Sequence, residues 1–204
     1  MLFRSLHSLL KLPVHGPLVL LSPHDLAAMQ TELKKIKILI IDEKSYLDLL
    51  TLARVFKRLR EVFPDRVTAQ YDWPIAVVLV GDLRQLPPVG GVPLYNHLIS
   101  QDNIEVNLGR LLYRHFDRFS FIFSTQMRQA EDPTFAGQLA RCSDGELTEE
   151  DWENWRQQSF AGMNPRQQES FDSAMLLAAR NERDRKSTRL NSSHSQQSRM
   201  PSSA

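Results

Sequence analysis

Two short stretches hold the residues that could do chemistry together. Asp42 and Glu43 follow directly on an apolar, largely β-branched run, Ile36-Lys37-Ile38-Leu39-Ile40-Ile41. One carboxylate of such a pair can hold Mg²⁺ while the other orients a water, which is the metal and base half of a phosphoryl-transfer site. An acidic pair after a strand also occurs as a solvated turn or a helix cap, and the pair alone leaves both readings open. The second stretch, residues 75–91, reads Ile-Ala-Val-Val-Leu-Val-Gly-Asp-Leu-Arg-Gln-Leu-Pro-Pro-Val-Gly-Gly. It is another apolar run, ending in Gly81-Asp82 and followed by Gln85 and the pair Pro87-Pro88.

The elements that must position these residues follow from the pattern. Both runs are continuously apolar rather than alternating, so each reads as a strand buried on both faces of a parallel sheet. A helix-length segment joins them into a βαβ unit. Its two polar ends then lie on one sheet edge, the edge where open α/β sheets bind ligands. In the connecting segment Leu49, Leu52, Phe56, Leu59 and Phe63 recur at helical spacing, with Ser45 and Asp48 as a cap-like pair before them and Pro64-Asp65 after. The opposite face of that helix carries Arg54, Lys57, Arg58 and Arg60, which could meet a phosphate backbone but more often form a solvated face.

Upstream, Ser22-Pro23-His24-Asp25 reads as a capped helix start, and Leu26, Met29, Leu33 and Ile36 give that helix an apolar face ending near Lys34-Lys35. Pro17–Leu21 is an edge-strand candidate. Downstream, Leu108–Phe116 is helical in period and Arg118–Thr125 is a third strand candidate. Pro133–Arg141 and Thr148–Gln158 read as two short helices. Trp152 and Trp155, three residues apart, fit docking onto a core better than a base-stacking platform.

The residues Ile-Ile-Asp-Glu-Lys-Ser, followed by Gly-Asp-Leu-Arg-Gln-Leu-Pro-Pro-Val-Gly-Gly, resemble motifs II and III of the Pif-type (petite integration frequency) ATP-dependent DNA helicases, which are superfamily 1B and RecD-like. Ser5-Leu6-His7-Ser8 resembles that family's motif Ia, and Gln126-Met127-Arg128-Gln129 its motif IV. The resemblance implies an α/β fold: an incomplete RecA-like P-loop NTPase domain with a three-layer, mostly parallel sheet that lacks its first βα unit. Residues 1–125 would form this partial domain. Residues 126–183 would hold the motif IV region and the start of a second RecA-like domain, with Met175–Ala179 as its first strand.

The same resemblance implies roles. Asp42 would hold Mg²⁺, and Asp82 would lie with it at the ATP site. Glu43 would polarise the attacking water, Gln85 would sense the γ-phosphate, and Arg128 would contact it. His7, Ser8, Pro87 and Pro88 would lie along single-stranded DNA. The implied reaction is ATP hydrolysis driving 5′-to-3′ unwinding in recombination, repair and telomere maintenance. The implied partners are ATP and single-stranded or forked DNA; the sequence leaves the oligomeric state open, with a monomer the expectation. The implied location is the nucleus, with the mitochondrion as a second site.

Other features bound this reading. The 204 residues contain no Gly-x-x-x-x-Gly-Lys-Ser/Thr loop, which in the family precedes motif Ia. The chain is therefore expected to be a fragment that neither binds ATP tightly nor unwinds DNA alone. The competing reading is a catalytically dead, transposon-derived remnant acting at most as a DNA- or protein-binding module. A third is a different α/β NTPase, whose hydrolysis would not be coupled to single-stranded DNA. Net charge is +1, which excludes a global basic footprint for nucleic acid. Cys142 is the single cysteine, so no intrachain disulfide or thiolate cluster can form. No apolar run approaches the length of a membrane span. Residues 184–204 hold seven serines, one leucine and no aromatic, and are expected to be a disordered, non-native tail resembling translated adapter sequence.

Overall fold

A computed structural model describes residues 4–99, 103–125, 127–159 and 161–171. The chain divides into two units, one ending at Thr125 and the other beginning at Gln126. Four helices, α1 (Leu6–Leu10), α2 (Pro23–Leu33), α3 (Leu49–Val62) and α4 (Ile104–Asp117), accompany two strands, β1 (Ile38–Ile41) and β2 (Ala76–Leu79), in the first unit. The second unit holds α5 (Pro133–Asp144), α6 (Glu149–Gln157) and α7 (Pro165–Ser170).

α3 is the centre of the first unit. Leu49, Leu52, Val55, Phe56, Leu59 and Val62 recur on one face and are all buried. Each such side chain contributes roughly 1.5–3 kcal/mol when removed from water. Asp48 starts the helix, its Oδ1 accepting the Thr51 N–H at 2.5 Å. Ser45, expected to share that role, is instead buried in a 3₁₀ turn over Lys44–Tyr46, where its Oγ has no hydrogen-bond partner among the described residues. α4 crosses α3 at Gly109, where an added Cβ would fall 1.9 Å from the Leu49 carbonyl oxygen. Trp73 fills the space beside this crossing, edge-on to Phe56 at 5.1 Å and to Phe116 at 5.9 Å.

The strands pair in parallel, Ile38 opposite Ala76 and Ile41 opposite Leu79. The core covers the face carrying Leu39, Ile41, Val77 and Leu79. On the opposite face Ile38 and Ile40 are 57% and 54% exposed, and Val78 and Val80 are exposed with them. The expectation of burial on both faces is thus corrected. Continuous apolar composition reports that a strand can be covered twice, and the described residues supply a helical layer on one side only. Arg118–Thr125 and Pro17–Leu21 are not strands either. A lone extended segment has nowhere to send its backbone hydrogen bonds without a neighbour, and Phe119, Phe121, Ile122 and Phe123 stand exposed.

The basic face of α3 is also reassigned. Arg58 is 1% exposed. Its Nε donates to the Leu10 carbonyl at 3.1 Å and its Nη2 to that of Val19 at 3.0 Å, and it pairs with Glu61. Arg54 donates to the Gly16 carbonyl at 2.6 Å, and Arg60 to those of Ala69, Gln70 and Asp72. Lys57 pairs with Glu105. The three arginines supply donors to backbone carbonyls that no strand or helix satisfies.

In the second unit each helix has its cap: Asp132 for α5, a Thr148–Asp151 capping box for α6 and an Asn164–Gln167 box for α7. Arg141 of α5 grips Asp151 of α6 with two bonds of 2.7 and 2.5 Å. Trp155 docks α6 as expected, donating from Nε1 to Gln138 Oε1 at 2.9 Å. Trp152 does not, and is 59% exposed. Met175–Ala179 and the serine-rich tail lie outside the described residues.

Candidate functional site

The parallel pairing brings the carboxyl ends of β1 and β2 together, and the ladder runs beyond the strands. Val80 N–H donates to the Ile41 carbonyl and Lys44 N–H to the Val80 carbonyl, both at 2.8 Å. Asp42, Glu43, Gly81 and Asp82 therefore emerge side by side. Gly81, at φ 132°, lets the two chains touch: a Cβ there would lie 2.7 Å from Lys44 N and 3.2 Å from Glu43 Cα. Glu43 itself sits in the left-handed region at φ 54°, a conformation that costs a non-glycine residue about 1–2 kcal/mol.

Asp42 Oδ1 accepts the Glu43 N–H at 2.8 Å, which fixes the turn. Asp42 and Glu43 are both exposed. Asp82 Oδ1 accepts the Arg84 N–H at 2.9 Å, and its carbonyl accepts the Gln85 N–H at 3.2 Å. This closes a tight turn that presents the exposed Gln85 side chain. Pro87 is exposed and Pro88 half-buried farther along the same loop. The loop is pinned again at its far end. Leu49 N–H donates to the Val92 carbonyl at 2.9 Å, Asp48 bridges Pro93, and a Cβ on Gly91 would lie 2.4 Å from Asp48 Oδ2. Segment 43–49 thus clamps both ends of the Gly81–Gly91 loop, a role of Asp48, Gly81 and Gly91 that spacing alone did not reveal. The glycines carried the signal, since two of them bracket the loop.

An exposed Asp42 carboxylate with Asp82 beside it suits a hard cation such as Mg²⁺, which takes one or two protein carboxylates and fills its other positions with water and substrate oxygens. Among the described residues no group of three or more His, Cys, Asp and Glu is placed to hold a metal ion.

The other candidates lie apart from this edge in sequence. His7 and Ser8 are exposed on α1, whose cap is Ser5 Oγ accepting the Ser8 N–H at 3.3 Å. The Arg58 bonds to Leu10 and Val19 hold the chain that follows α1 in place. Arg128 belongs to the second unit, exposed in the turn before α5.

No family model matches the chain, and no curated protein matches it. Among solved structures it is similar to Bacteroides sp Pif1 in complex with ADP-AlF4, at 24% identity and a TM-score of 0.45, over 71% of this chain and 33% of that one. It is likewise similar to unliganded Pif1 from Bacteroides sp, at 22% identity and a TM-score of 0.41, over 72% of this chain and 34% of that one. The chain thus spans about a third of the length of both.

Proposed function

We propose that this chain is the part of an ATP-dependent 5′-to-3′ DNA helicase that carries the acidic pair and the γ-phosphate-sensing loop of the motor. The carrying observation is the clamped edge: Asp42-Glu43 and the Gly81–Gly91 loop emerge together at the carboxyl ends of two parallel strands. In this reading Asp42, with Asp82 beside it, holds Mg²⁺, which when bound neutralises charge on the transferring phosphate. Glu43 takes up the proton of a water that it orients, and its exposed carboxylate has no hydrogen-bonding partner among the described residues to compete for that role. Gln85 stands on the loop that leads to Pro87 and Pro88. A contact made by its amide would be passed along a short, pinned segment toward DNA. Arg128 serves as the cation that meets developing phosphate charge, and His7 and Ser8 meet the DNA strand.

The RecA-like architecture, the roles in recombination, repair and telomere maintenance, the nuclear and mitochondrial location and the monomeric state belong to this proposal. The phosphate-cradling loop of such a motor is not among these 204 residues. End-to-end sequencing of the native transcript tests the reading. The expected result is an open reading frame that joins a Gly-x-x-x-x-Gly-Lys-Ser/Thr loop in frame ahead of Asp42. Stop codons in every frame across that region would sink it.

A further inference from the structure

The second unit holds a groove that the helicase reading leaves unused. It lies between α5 and α6 and measures about 870 Å³. Phe135, Leu139 and Trp155 line it, with Asp132, Gln157 and Gln158 at its polar rim. The Trp155 ring is locked by its bond to Gln138, itself buried, and Phe135 is 41% exposed. The Arg141–Asp151 pair fixes the two helices against each other. This is an open groove in which three apolar side chains sit among amides and an acid, a form suited to anchoring an amphipathic side-chain set.

Charge selects among occupants. Residues 127–171 contain four arginines, no lysine and nine Asp or Glu. Two of the arginines are engaged, Arg141 with Asp151 and Arg156 with Glu153. A nucleic-acid strand would bring phosphates to a segment with a net charge of −5, whose charged residue lining the groove is the acid Asp132, although the aromatics could stack on its bases. We infer that the α5–α6 groove docks a cationic amphipathic peptide segment, which seats an apolar side chain on Phe135 and Trp155 and sets a Lys or Arg against Asp132. Such a segment matches both the apolar side chains of the groove and the Asp132 carboxylate on its lining.

Fluorescence anisotropy on the full chain tests this, with a labelled Leu/Lys amphipathic helical peptide, the same peptide with Leu replaced by Ser, and labelled oligo-dT. The Leu/Lys peptide is expected to bind, less tightly as salt rises, and the Ser version is not. Phe135→Ala should weaken binding about tenfold by removing the anchor surface. Asp132→Asn keeps the α5 cap, because asparagine caps as well as aspartate, and should weaken binding about threefold through lost charge complementarity. Glu169→Gln, the same charge change on α7, should leave binding unaltered. Failure of the Leu/Lys peptide to bind, equal weakening by Asp132→Asn and Glu169→Gln, or binding of oligo-dT alone would overturn the inference.

Discussion

Arg58 on α3 and Glu43 after β1 are charged residues of the same unit in opposite circumstances. Arg58 is enclosed, and its guanidinium serves the Leu10 and Val19 carbonyls and Glu61. Glu61 in turn accepts the Leu21 N–H at 2.6 Å. Glu43 is exposed, its carboxylate without a partner among the described residues, and it is held in a backbone conformation that costs energy. A charge whose hydrogen bonds are spent on the fold is a structural element. A charge held rigidly at a strained position, with nothing in the fold using it, is a candidate for chemistry.

The sharpest way to break this contrast is to remove each charge. Arg58→Met leaves the Leu10 and Val19 carbonyls without their donor and Glu61 without its counter-charge, and should cost about 3–5 kcal/mol, read by urea unfolding. If Arg58→Met is neutral, α3 is not the tie between the core and residues 10–19. Gly81→Ala should cost about 2–4 kcal/mol, because a Cβ at positive φ meets the Lys44 backbone. A tolerated alanine would show that the strand ends are not clamped.

An ion pair extends the contrast to the second unit. Arg141 holds the Asp151 carboxyl far below the usual range, against the opposing effect of burial and with help from Thr148. A depressed folded-state value means the stabilisation is present above the ordinary aspartate range, near pH 4, and is lost as pH falls toward the folded-state value. Acid unfolding followed by tryptophan fluorescence should therefore show a limb below about pH 4 that Asp151→Asn removes. The smallest effects are expected at Glu43. Glu43→Gly should raise stability by about 0.5 kcal/mol, as relief of the left-handed strain outweighs the added chain entropy. Glu43→Gln should change it by less than about 0.5 kcal/mol. A large loss from either would make Glu43 structural.

Much of this was legible because short-range rules suffice for it. The runs before Asp42 and before Gly81 gave two strands and their parallel edge, and Ser22-Pro23 gave the start of α2. The period of Leu49, Leu52, Phe56 and Leu59 gave the buried face of α3. What was missed depends on distant partners. Nothing near Arg58 in sequence shows that the Leu10 and Val19 carbonyls need a donor. Nothing in Phe-Ser-Phe-Ile-Phe at residues 119–123 shows whether a neighbouring strand is at hand to pair with it. The apolar composition of Ile38 and Ile40 does not tell which face of the sheet is covered.

The most direct test of the proposed chemistry is DNA-stimulated ATP hydrolysis by the polypeptide that the complete native transcript encodes, compared with its Glu43→Gln variant. Hydrolysis stimulated by single-stranded DNA and reduced by about 10²-fold or more in the variant, with unfolding unchanged, is the expected result. Hydrolysis indifferent to Glu43→Gln, or none at all from the complete polypeptide, would contradict the assignment of the Asp42-Glu43 edge as the catalytic centre.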